Sequence, residues 1–287
     1  MATTRPSNGG AEAIEKKRKR KRGKESVEAQ TFDETPATEI AAQLFELTDQ
    51  CHHYTARKQI EYDIQKYWDQ RYSIWSLYDE GIYMTDDAWF GVTPEPVANK
   101  VAHDFANLAS ASRTVLIDIF AGAGGNVIAF ALSNRWSSIV AIEKDPAVIA
   151  CAYRNAQIYG VADKITWVND DSFAYLQANS SPSSSSSFID ASKTAIFASP
   201  PWGGPGYRDD EIFDLDKMQP YSVQRIHDAV RSMDSALYLP RQSDVRQLAR
   251  LAPEGGKKIE IVQYCMMGAS KAMVAYIPSS APTTPAE

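Results

Sequence analysis

The stretch Thr114-Val-Leu-Ile-Asp-Ile-Phe-Ala-Gly-Ala-Gly-Gly-Asn126 decides the fold. Its first half is a short apolar run, the pattern of a strand covered on both faces. The glycines make a tight turn, and the residues after them (VIAFALSN) have helical character, so a strand passes straight into a helix. The rhythm then repeats. SIVAIEKD (138–145) reads as a second strand, and the helix after it is opened by Pro146 and closed by Gly160. KITWVNDD (164–171) is a third strand and TAIFASPPW (194–202) a fourth. A helix over 221–233 leads to the strand SALYLP (235–240), a short helical segment DVRQLARLA follows, and 257–278 reads as two strands joined by a glycine-containing turn. Strands alternating with helices imply parallel βαβ units. The expected fold is therefore α/β, a doubly wound, mainly parallel seven-stranded sheet of Rossmann-like type with a hairpin at its end.

Outward from this body the chain changes character. Residues 1–35 are polar and charged and are expected to be a disordered basic tail. Residues 36–108 are expected to be a small helical, aromatic-rich N-terminal extension. A helical spacing over Ile40, Ala41, Leu44, Phe45 and Leu47 could be capped by Thr38, and a further helix is expected around Val97 to Leu108. The α/β domain spans 109–278, and 279–287 form a second disordered tail. Between the third and fourth strands lies SSPSSSSSFIDAS, read as a surface loop without chemistry.

Charge narrows the choice of partners. The chain carries a net charge of −6, but residues 1–24 hold nine Lys/Arg against two acidic residues, a local +7 that leaves −13 for the rest. Nonspecific grip on nucleic acid scales with the number of phosphates neutralised. The body should not hold a long duplex; any nucleic acid it handles should enter one small pocket, with the basic run EKKRKRKRGK as a long-range attractor or nuclear localisation signal. No apolar run is long enough for a membrane helix, so no membrane partner is expected. The N-terminus lacks the apolar core of a secretory leader. Three cysteines far apart and four histidines form no ligand pattern, which predicts no metal and a reducing compartment.

The candidate chemistry sits at the strand ends. Gly122 and Gly124 permit a ligand to approach the backbone, yet a dinucleotide fingerprint would need a third glycine where Val127 stands. Asp118 is acidic where a pyrophosphate would need neutral or positive surroundings, so the occupant should itself be cationic. S-adenosylmethionine, with its methionyl ammonium, fits. Glu143 ends the second strand, where a carboxylate can accept both ribose hydroxyls. Asp171 ends the third, where it could accept from the adenine amine, with Asp170 as the neighbouring candidate. At the fourth, Ser199-Pro200-Pro201-Trp202 joins a rigid, donor-free turn to an aromatic ring. Ser199 and the carbonyl of Pro200 could orient an exocyclic amine, with Trp202 stacked on its base. The turn resembles the [DNS]PP[YFW] element of amino-methyltransferases.

Taken together, KYWDQRY, WFGVTPE, DIFAGAGGN, RNAQIYG, SPPWGGPGY and LPRQSD resemble the trimethylguanosine synthase family of RNA cap methyltransferases, in order and spacing, from about Lys66 to Ile277. The resemblance implies two methyl transfers from S-adenosylmethionine to guanine N2 of a 7-methylguanosine cap on small nuclear and nucleolar RNAs, in the nucleus and nucleolus, with ribonucleoprotein or import partners reached through the basic tail. It further implies that Phe120, Asn126, Thr93 and Pro94 join the cofactor set. Lys66 and Arg241 would meet the cap phosphates, Tyr207 would donate a hydrogen bond, and Asn155 would contact the guanine or the cofactor side of the pocket. A cationic 7-methylguanine would gain a cation-π contribution on Trp202. One departure is Gly91, where the family more often has Ser. Three other readings stay open: an adenine or cytosine amino-methyltransferase on RNA or DNA, a small-molecule methyltransferase, and a catalytically silent cap-binding module.

Overall fold

The computed structural model describes residues 45–180, 189–204, 210–253 and 257–280. Seven strands form one sheet in the order β3-β2-β1-β4-β5-β7-β6. These are β1 Val115–Asp118, β2 Ser138–Glu143, β3 Ile165–Asn169, β4 Thr194–Ala198, β5 Asp234–Leu239, β6 Glu260–Met266 and β7 Ala269–Ile277. The pairs β1-β2, β1-β4, β2-β3 and β4-β5 are parallel, whereas β7 runs antiparallel to both β5 and β6. The expected doubly wound sheet with its terminal hairpin is present, and Gly268 makes the hairpin turn with a positive φ.

Nine α-helices accompany the strands among the described residues: α1 Gln65–Trp68, α2 Arg71–Ile74, α3 Ala88–Gly91, α4 Glu95–Leu108, α5 Gly125–Leu132, α6 Pro146–Ile158, α7 Ser172–Asn179, α8 Val223–Val230 and α9 Val245–Ala249. Strand side chains alternate between two buried layers, as a sheet covered on both faces requires. Leu116, Ala141 and Phe197 face a core built with α4, α5 and the extension. Ile117, Ile142 and Ile196 face a second core built with α7, α8 and α9. The helix starts follow capping chemistry. Asp145 accepts from the amides of Ala147 and Val148 ahead of α6, whose first residue is Pro146.

The extension is not an appendage. Trp75, Tyr78, Trp89 and Val101 belong to the same core as Phe130 and Phe197 of the α/β body. The helix expected near residues 40–47 is not formed where it is described, since Phe45–Gln50 are turn and irregular structure; Thr38 and Ile40–Leu44 lie outside the described residues. The basic tail, most of the serine-rich insert and the C-terminal tail from 281 onward also lie outside them.

Candidate active site

Parallel pairing of β1 with β4, Asp118 opposite Phe197, brings the turns after both strands to the same edge of the sheet. Helices leave the sheet on opposite faces there, which opens the crevice where α/β proteins bind ligands. Gly122 and Gly124 both adopt positive φ, and Gly124 caps the N-terminus of α5. A Cβ on Gly125 would stand 3.2 Å from the Thr93 carbonyl, so the turn needs glycine to let the extension come this close.

Asp118 is fully buried. Its Oδ1 accepts from the Phe120 amide at 3.2 Å, and its Oδ2 has no partner among the described residues. Burial pushes its carboxyl up to about 8, and the nearby Glu143 pushes in the same direction. Asn126 is likewise buried; its Nδ2 donates to Thr93 Oγ1 at 2.9 Å while its Oδ1 is unpartnered. Two buried acceptors beside a glycine turn are costly unless a donor meets them. An ammonium group, which has donors and no acceptor, suits both, so these residues fit S-adenosylmethionine. Thr93, named from a distant motif, is thereby joined to the glycine loop, and Pro94 follows it in the chain.

Glu143, half-buried at the end of β2, braces this loop. One carboxylate oxygen accepts from the Gly122 amide and the other from the Asp145 amide, both at 3.0 Å. Each oxygen keeps a second lone pair for a ribose hydroxyl. Desolvation raises its carboxyl as well. Asp171 differs from expectation in place. The strand ends at Asn169, and Asp171 caps α7, its Oδ1 accepting from the Phe173 and Ala174 amides at 3.0 Å while its Oδ2 takes the Tyr221 hydroxyl at 2.9 Å. These hydrogen bonds, the Ala174 amide's foremost, hold its carboxyl below the ordinary value. Asp170 is exposed and accepts from the Asp171 amide.

On the β4 side Ser199 is half-buried, Pro200 buried and Trp202 half-buried. The indole lies nearly parallel to the Tyr238 ring, at 12° and 6.2 Å between centroids. Lys66 and Arg241 are both exposed, Lys66 with its ammonium 5.0 Å over the Tyr67 ring. Tyr207 lies outside the described residues. Exposed Gly91 has open space around the position of a Cβ.

Asn155 has a structural role. Its side chain is fully buried and spent on protein: Oδ1 accepts from the Tyr83 amide at 2.8 Å, and Nδ2 donates to the carbonyls of Tyr83 at 2.9 Å and Ala123 at 3.0 Å. It clamps the extension to the glycine loop. Two residues outside the sequence-based site set prove structurally central. Glu95 accepts from Ser76 and, at 2.6 Å, from the Tyr159 hydroxyl, tying WFGVTPE to RNAQIYG. Tyr221 joins Phe120, Phe173 and Asp171. The motif positions of Glu95 and Tyr159 offered a signal for the first; nothing local marks the second.

Among known proteins, residues 113–280 match the model of the family described as RNA cap guanine-N2 methyltransferase. The trimethylguanosine synthase of Schizosaccharomyces pombe is 34% identical over 219 residues, covering 74% of this chain and 85% of that protein. Its Saccharomyces cerevisiae counterpart is 33% identical over 189 residues, and the match covers 64% of this chain and 57% of that longer protein. A solved putative methyltransferase from Porphyromonas gingivalis W83 shares the fold alone, with a TM-score of 0.54 at 13% identity, covering 78% of this chain and 50% of that one. A family match over more than half the chain, beside a relative covered over most of its length, establishes that this chain belongs to the RNA cap guanine-N2 methyltransferases.

Proposed function

We propose that this enzyme methylates guanine N2 of a 7-methylguanosine cap twice, giving 2,2,7-trimethylguanosine, and that its substrates are small nuclear and nucleolar RNAs. The observation that carries the reading is the neighbourhood of two turns on adjacent strands: the glycine loop with its unpartnered buried acceptors after β1, and the diproline-tryptophan turn after β4. When bound, S-adenosylmethionine supplies an already activated sulfonium methyl group. The chain's task is then alignment, for which no strong base is required. Asp118 and Asn126 would hold the methionyl ammonium, Glu143 the ribose, and Asp171 the adenine amine. Pro200 and Pro201 carry no N–H, so their turn offers acceptors to the guanine amine, with Ser199 beside it. Trp202 sets the base plane, and its attraction for a cationic purine favours the 7-methylated base over plain guanine by about 1–2 kcal/mol. Lys66 and Arg241, both exposed, would meet the cap phosphates. The basic run in residues 16–24 would carry the enzyme to the nucleus and to import or ribonucleoprotein partners.

Mass analysis of a 7-methylguanosine cap dinucleotide after incubation with the donor tests the proposal. Products heavier by one and then two methyl groups on the guanine amine are expected. Equal transfer to an unmethylated guanosine cap, or transfer to an adenine oligonucleotide instead, would overturn it.

A further inference from the structure

We infer that Tyr221 positions Asp171 for the adenine amine of the methyl donor. The inference rests on the cofactor reading above and adds to it a residue fifty positions away in sequence. Tyr221 lies just ahead of α8, and its hydroxyl donates to Asp171 Oδ2 at 2.9 Å. Its ring stands 4.5 Å from Phe173 and 6.0 Å from Phe120 between centroids. The Arg225 guanidinium lies over both the Tyr221 and Phe173 rings, at 4.9 and 4.8 Å. Residues following β1 and β3 and leading into α8 thus meet at one point. Asp171 Oδ1 is spent on capping α7, so Oδ2 is the oxygen left for a ligand. A hydroxyl on one lone pair of that oxygen fixes the carboxylate plane and leaves the other lone pair for an exocyclic amine. The half-buried faces of Phe120, Phe173 and Tyr221 suit a flat purine.

Calorimetry on the full chain provides the test. Tyr221→Phe keeps the ring and removes only the hydroxyl. It should weaken S-adenosylhomocysteine binding about three- to tenfold, with the melting temperature and the KM for a cap dinucleotide unchanged. S-inosylhomocysteine, which carries an oxygen where the adenine amine was, should bind both proteins equally. The effect should also vanish in an Asp171→Asn background, where Asn still caps the helix. Wild-type affinity in Tyr221→Phe, or equal losses for both ligands, would overturn the inference. A wild-type protein that binds neither nucleoside would instead overturn the cofactor reading beneath it.

Discussion

At the β1 and β2 ends of the crevice the polar side chains are braced by main chain: Glu143 holds two amides, Asp118 one, and Asn155 ties the loop to Tyr83. At the β4 end, by contrast, the Trp202 indole lies nearly parallel to the Tyr238 ring. On the proposed reading, the two ends meet different demands. A ligand with fixed donors needs acceptors at set points, which hydrogen bonds to a rigid backbone deliver. A flat cationic base needs a plane, and packing sets a plane better than any single hydrogen bond.

Trp202→Ala breaks the second end alone and should have the largest effect, about a hundredfold loss of kcat/KM on a 7-methylguanosine cap. Calorimetric affinity for S-adenosylmethionine should stay near that of the wild type. Near-normal turnover would show that the indole does not hold the base. Asn155→Ala attacks the brace of the first end. It strands the amide and carbonyl of Tyr83 and the carbonyl of Ala123 in the interior, and should cost about 2–4 kcal/mol in denaturant unfolding. A cost under about 1 kcal/mol would mean that the clamp is dispensable. The smallest effect concerns protons. Asp118 has a folded value near 8 against an ordinary 3.8, so between those values the ligand-free folded state holds a proton that the unfolded chain has released. Its contribution to stability therefore falls as pH rises through that window. Melting scans without cofactor at pH 5 and pH 8 should show a decline, on the order of a few degrees, that Asp118→Asn removes. Parallel pH profiles for the two proteins would exclude Asp118 as its source.

The strands were legible because each is a short apolar run between turn residues, and α6 because Pro146 and Gly160 punctuate it. The places of Asp118 and Glu143 at the ends of β1 and β2 were legible for the same reason: a strand's last residue can be counted from its pattern. The place of Asp171 was missed, since Asn169-Asp170-Asp171 offers three polar residues and the sequence does not show that the strand stops at Asn169 and Asp171 caps the next helix. The partners of Asn155 were not legible, because Tyr83 and Ala123 lie 72 and 32 positions away and no local pattern encodes contacts of that range. The spacing through Phe45 and Leu47 suggested a helix, but periodicity cannot tell a helix from a segment laid irregularly over a core, and Phe45 packs beside Cys51 and Cys151.

The shared core carries a consequence for anyone trimming this enzyme. The family match begins at Arg113, yet Val97, Val101 and Phe105 of α4 fill the layer beneath β1 and β4, with the Phe105 ring 6.2 Å from that of Phe130. A fragment cut at that border would keep α5 but lose α4 and the extension from one side of its sheet, leaving apolar surface exposed that favours aggregation over folding. A fragment meant to fold should therefore keep Trp68, Trp75 and Trp89, which belong to the same core.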